Sequence, residues 1–155
     1  MRLLILLLAT VTLTALTTAC AQNPPRGSAA AETAASARTA LAASISAYES
    51  GDAARVISQL DPGMLGYADY ADGVRRDTAQ FKQIRVQLLD TSVTSGGGIV
   101  YVSSAWEKRV LTANTLKPQL HKGRSTFAMK QAADGWRISA IAGDNLFSTP
   151  VVTLP

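Results

Sequence analysis

The stretch YADYADG, residues 67–73, places Asp69 between Tyr67 and Tyr70. A carboxylate flanked by phenols has the groups for proton transfer next to a carbonyl. The carboxylate takes the proton, and a phenol donates a hydrogen bond to the enolate that forms. The same residues read equally as a surface loop whose aspartates close turns and whose tyrosines cover a mouth. A second group lies around LKPQLHKG, where His121, the one histidine, stands beside Lys117, Lys122 and Arg124. A general base needs a partner and a surrounding pocket, and a loop histidine among cations is ordinarily solvated. As a set the four make a small basic contact patch for an anionic partner such as lipid headgroups or acidic polysaccharide. The third candidate is Cys20, the single cysteine, which can form no internal disulfide and is a poor start for a metal site. No Ser–His–Asp set or metal-ligand spacing is visible. SGGG at 95–98 lacks the lysine and helix of a phosphate-cradling loop. Neither metal nor cofactor is therefore expected.

The position of Cys20 gives it a meaning. Residues 1–19 carry one charge, Arg2, then an apolar core from Leu3 to Leu8, and close on Thr17, Thr18 and Ala19. A membrane span wants about 20 predominantly apolar residues. A charged start, a short apolar run and a small-residue end describe an export signal instead. Ala19 and Ala21 fit a conventional signal-peptidase cut with Cys20 between them. LTTAC also resembles the lipobox of bacterial lipoproteins, in which the cysteine becomes the lipidated first residue. It departs from that pattern at Thr17, where an aliphatic residue is usual, with Leu16 one place earlier. The resemblance implies a lipoprotein signal over 1–19 and lipidation at Cys20. Residues 20–27 then form a tether, since Asn23, Pro24, Pro25, Arg26 and Gly27 suit neither helix nor sheet. Ala21 stands where an inner-membrane retention signal would have aspartate, so the implied address is the outer membrane, facing the periplasm. Several acyl chains on one cysteine suffice for stable anchoring. The conventional cut leaves a periplasmic or secreted domain.

Removing 1–19 takes Arg2 from a net charge of +4, leaving +3. That charge is too modest and too evenly spread for nucleic-acid binding. One domain over residues 28–149 is expected, held by packing alone, with a tail over 150–155.

The elements that must position these residues follow from periodicity. Ala30, Ala34, Ala37, Leu41, Ile45 and Tyr48 recur at helical spacing and predict a long helix, with Ser28 as its cap. Gly51 ends it and Asp52 caps a second helix through Leu60. Pro62 and the glycines around it break the chain before a short third helix over 74–81. From there the period changes to two. QIRVQLL is a half-buried strand and TSGGG a turn. IVYVSSAWEKRVL is a long strand, bent near SSA, with Val100, Val102, Ser104, Trp106 and Lys108 on one face. TANTLKPQLHKG is a loop, RSTFAMKQ a third strand and WRISAIAGDNLF a fourth. Helices first and antiparallel strands after give an α+β class.

That order resembles the nuclear-transport-factor-2-like superfamily, shared with SnoaL-like and steroid-isomerase-like proteins. YESGDAARVISQLDP, GVRRDTAQF and GWRI carry the resemblance, which spans residues 30–148. It implies helices packed on a curved antiparallel sheet, a cone-shaped cystatin-like roll, with a pocket between them. Tyr48, Tyr67, Tyr70 and Trp106 would line that pocket. Asp69 falls near the region where isomerase-like relatives carry their base. Three phenylalanines and alanine-lined helix faces suggest a partly open cone. Trp106 alternatively lies on an exposed sheet face suited to a homodimer. A single shape hosts many functions, so fold alone decides nothing here. The leading expectation is a lipid-anchored cell-envelope domain that binds a small apolar ligand or an envelope protein. The alternatives are an isomerase- or dehydratase-type enzyme using a pocket carboxylate, and a structural dimerisation subunit.

Overall fold

A computed structural model of the chain describes residues 26–149. Cys20, the export signal expected over residues 1–19 and the 150–155 tail lie outside the described residues. Three helices, α1 (Arg26–Glu49), α2 (Ala53–Ser58) and α3 (Tyr67–Gln80), precede four strands. These are β1 (Phe81–Gly96), β2 (Ile99–Thr112), β3 (Pro118–Ala132) and β4 (Gly135–Gly143). They form one antiparallel sheet in the order β1-β2-β3-β4, as an α+β reading requires.

The predicted helical face of α1 is the buried one: Ala37, Leu41, Ile45 and Tyr48 are in the core, while Ala30 at its start is exposed. Gly51 takes a positive φ of 79° and Asp52 caps α2, accepting from the Arg55 amide at 3.0 Å. On the sheet, Ile84 of β1 and Val100, Val102, Trp106, Lys108 and Val110 of β2 turn inward with Phe127 and Met129 of β3. The alternate residues Arg85, Tyr101 and Arg109 are exposed on the outer face. Register shifts in β1 between Leu89 and Ser92, and between Ala128 and Met129 of β3, curve the sheet around the helices. The bend expected at SSA is this irregularity seen from the partner strand. Ser104 of β2 sits opposite it, donating to the Leu89 carbonyl at 2.7 Å. Gly97 and Gly98, with φ of 60° and 77°, make the two-residue turn between β1 and β2.

Three boundaries differ from the sequence reading, each for a physical reason. The third helix starts at Tyr67 rather than at residue 74, because Ala71 and Val74 continue its buried stripe through YADYADG. That stretch is helix and not a surface loop. The long loop before the third strand is shorter, since β3 begins at Pro118 and pairs in register with β2 throughout. His121 and Lys122 are therefore strand residues, continuous with Arg124, which already read as strand. At the other end β4 stops at Gly143, φ 88°, and DNLF leaves the sheet.

Candidate functional site

The interior of the cone holds a polar cluster of which, among the residues expected to form a site, only Tyr48 is a member. Asp77 reaches it from the last turn of α3, Lys108 from the inner face of β2, and Tyr48 from the end of α1. Lys108 Nζ lies 3.2 Å from Asp77 Oδ2, with the two side chains 1% and 0% exposed. The Tyr48 hydroxyl donates to the same oxygen at 2.5 Å. The chain beyond β4 completes the set. The Thr149 amide and hydroxyl donate to Asp77 Oδ2 at 2.8 and 2.9 Å. Lys108 Nζ donates to the Leu146 carbonyl at 3.0 Å. Gln80 Nε2 reaches the other carboxylate oxygen, Oδ1, at 3.3 Å. Five donors of the protein itself thus reach Asp77, four on Oδ2 and one on Oδ1, and its side chain is 0% exposed.

Burial governs the electrostatics. It pushes the Lys108 ammonium below the ordinary lysine range, against the pull of the Asp77 charge. Burial and the neighbouring Asp77 hold the Tyr48 phenol far above its usual range, so it keeps its proton, donating to Asp77 and accepting from Lys108 Nζ at 3.2 Å. His121, opposite Lys108 in the strand register, also turns inward. Partial burial and then the Lys108 charge hold its imidazole below the ordinary histidine value, and Asp77 opposes them. Its Nε2 is 3.2 Å from Gln119 Oε1.

The sequence candidates are scattered relative to this cluster. Tyr48 belongs to it. Trp106 is a core residue, 4% exposed, donating from Nε1 to Ser125 Oγ at 2.7 Å, and it is neither a pocket mouth nor an outer face. Tyr70 is half-buried and donates to the Ile141 carbonyl at 3.2 Å, and Tyr67 packs against the core margin. Asp69 is exposed in the first turn of α3, apart from any interior group. Lys117, Lys122 and Arg124 are exposed, but they do not converge with His121 on one loop tip. Lys122 instead pairs with Glu107 at 2.6 Å, which holds that carboxyl below the usual range.

The cone is full. Tyr48, Lys108, Phe127 and Phe147 are each 0% exposed, so no space the size of a water molecule touches them. The Phe147 ring meets Tyr48 edge-on at 5.4 Å and Phe127 at 6.1 Å. The partly open cone expected from few phenylalanines fails because Phe147, from the segment beyond the sheet, folds back inside. Open concavities lie elsewhere: one of about 680 Å3 is lined by Asp61, Met64, Ile99, Lys130 and Ser139 among others, and on the outer face a groove of about 420 Å3 is lined by Arg85, Arg109, Leu111, Pro118 and Leu120 among others. Arg85 and Arg109 stand directly opposite each other on β1 and β2. Among the described residues, no group of three or more His, Cys, Asp or Glu side chains is placed to hold a metal ion. No described helix is long and apolar enough to cross a membrane.

Lys108 was legible in part, as a charge on the inward-facing register of β2. Asp77 carries a similar signal, falling three residues after Val74 on the buried stripe of α3. Their meeting depends on packing between elements, which periodicity does not carry.

Solved structures with this architecture include three of clear similarity. A proposed dehydratase of the NTF2-like family from Streptomyces avermitilis superposes with a TM-score of 0.65 at 15% identity, covering 72% of this chain and 95% of that one. An NTF2-like superfamily protein from Salmonella enterica serovar Typhimurium gives 0.61 at 14%, covering 83% and 99%. A ketosteroid isomerase-like protein from Erwinia carotovora gives 0.56 at 18%, covering 71% and 93%. Identities this low establish the shared fold alone. No curated protein matches the sequence. The family model described as a SnoaL-like domain matches residues 28–143. The helices, curved sheet and family match agree, and the chain belongs to the SnoaL-like domain family of the nuclear-transport-factor-2-like fold.

Proposed function

We propose that this chain is a lipid-anchored domain of the bacterial cell envelope, tethered through Cys20, that works by binding an envelope protein rather than by turnover. One observation carries the reading: the interior carboxylate, Asp77, is 0% exposed and held by five of the protein's own donors. A general base must come within hydrogen-bond reach of the substrate's proton, which a fully enclosed carboxylate does not. Asp69, the other carboxylate considered, faces solvent. A small apolar ligand has no room while Phe147 fills the cone. The outer groove is open and mixes the features of a partner site. Leu120 is 50% exposed there beside Leu111 and Pro118. Arg85 and Arg109 stand opposite each other there, and Glu107, 3.5 Å from Arg109, is shared with Lys122, so positive charge is in excess and the like charges repel. An acidic side chain of a partner would relieve that repulsion.

A photo-crosslinking residue at Leu120, placed in cells, tests this. A crosslink to one distinct envelope protein, lost on Arg85→Glu with Arg109→Glu, is the expected result. A crosslink only to a second copy of the chain would replace the reading with the dimerisation subunit. No crosslink at all would remove the groove as a partner site.

The enzyme alternative is favoured by a different observation: a carboxylate, a phenol and an ammonium meet in the interior. An isomerase- or dehydratase-type reaction would then use Asp77 with Tyr48, and it requires the cone to open. Asp77→Asn should abolish turnover in that case, while Asp69→Asn should not.

A further inference from the structure

We propose that residues 145–149 are an exchangeable plug, and that the site beneath them, built from Asp77, Lys108 and Tyr48, binds an extended peptide carrying an aromatic side chain. This concerns the cone and does not depend on whether the outer groove engages a partner.

A buried ion pair adds little stability over well-packed hydrophobic residues of similar volume, which commonly do as well or better. Here the pair is finished by groups of a terminal segment. Two donors go to the carboxylate from Thr149, and one acceptor to the ammonium from Leu146. These are one main-chain amide, one main-chain carbonyl and one hydroxyl, the contacts that a bound peptide makes. Phe147 sits between them with its ring edge-on to Tyr48, as an anchor residue fills a pocket. The segment joins no sheet and has no helical ladder. Its local bonds are an Asn145 side chain accepting from the Phe147 amide at 3.0 Å and a long 3.5 Å contact from Ser148 to Asn145. It can leave without breaking a strand pair.

The neighbouring helix is shaped to admit it. Gly73 is buried in the middle of α3, where alanine is the better helix former. A Cβ there would stand 2.7 Å from both Cβ and Oγ of Ser148. The missing methyl is therefore what lets the plug seat. At the rim, Arg76 Nη2 donates to Ser148 Oγ at 2.8 Å from an exposed position and closes the latch. Gly73 and Arg76 hold the plug without touching the ion pair, so they can be changed while the binding groups stay intact.

The test uses the full chain and a C-terminally amidated peptide of sequence NLFGT, residues 145–149 with glycine in place of Ser148 so that it clears a methyl at residue 73, carrying a fluorescent label on its amino end. Gly73→Ala displaces Ser148 and should raise peptide affinity about tenfold or more over the unmodified chain, because the internal competitor is weakened. Replacing the peptide's phenylalanine by alanine, or adding Lys108→Met to the Gly73→Ala chain, should remove that binding. In the unmodified chain the amide of Thr149 should exchange with solvent through local opening, faster than amides in the centre of β2. If Gly73→Ala does not fold, Arg76→Ala with Ser148→Ala serves in its place. A folded, latch-weakened chain that binds no peptide overturns the proposal, as does a Thr149 amide that exchanges only on global unfolding.

Discussion

Lys108 and Asp77, thirty-one residues apart in sequence, meet in the interior with Nζ 3.2 Å from Oδ2. Neither side chain is more than 1% exposed. The pair ties the last turn of α3 to the centre of the sheet. Such a pair is costly to break and cheap to replace. Lys108→Met alone leaves a carboxylate without its cation and should cost about 3–5 kcal/mol. Asp77→Leu combined with Lys108→Met should cost clearly less than the two single changes summed. Urea unfolding of the three variants measures this, and simple additivity would contradict it.

The one histidine sets an acid dependence of stability. Burial and the Lys108 charge hold the folded-state value of His121 below its ordinary 6.5. Between the folded value and 6.5 the unfolded chain binds more protons than the native one, so stability rises with pH across that window. On acidification it falls as pH drops through 6.5 and levels off below the folded value. Proton NMR of the single imidazole should show the lowered midpoint. His121→Gln should flatten the stability profile over that range, and an unchanged profile would contradict the assignment.

Gly123 marks a second close approach. A Cβ there would strike the Trp106 ring and stand 2.8 Å from the Asp144 Cβ. Trp106 cannot move away without giving up its 2.7 Å bond to Ser125. Gly123→Ala should therefore destabilise by about 1–3 kcal/mol through overpacking. Thermal unfolding checks it, and a variant as stable as the parent would mean that the indole shifts freely.

Asp69 should prove dispensable. It is exposed in the first turn of α3 with no partner in the cone. Asp69→Asn should change stability by no more than about 1 kcal/mol, the scale of a helix-terminus charge effect. Urea unfolding reads the difference, and a loss of several kcal/mol would mean that Asp69 supports the fold.

Much of the fold was legible because it follows from local period. The stripe from Ala37 to Tyr48, the cap at Asp52 and the alternation along β2 each dictate an element and its inner face. The early start of α3 was obscured by the two tyrosines and three glycines around it, which locally favour turns. The loop drawn before β3 was too long because Pro118 and the charges after it mask a strand edge. The polar cluster was hidden for a deeper reason. Asp77 of α3, Lys108 of β2 and Thr149 beyond β4 are distant in sequence, and only the folded chain makes them neighbours. Leu146 and Phe147 lay in what read as the end of a strand, whose period gives no sign that it turns back into the core.

The central claim is tethering through Cys20, and the intact mass of the chain extracted from bacterial membranes tests it most directly, beside a Cys20→Ala version. The account predicts a mass for residues 20–155 plus a diacylglyceryl group and an acyl chain, with Cys20→Ala lost from the membrane fraction. A bare mass beginning at Gln22, in the soluble fraction, would contradict it and leave a secreted domain without its anchor.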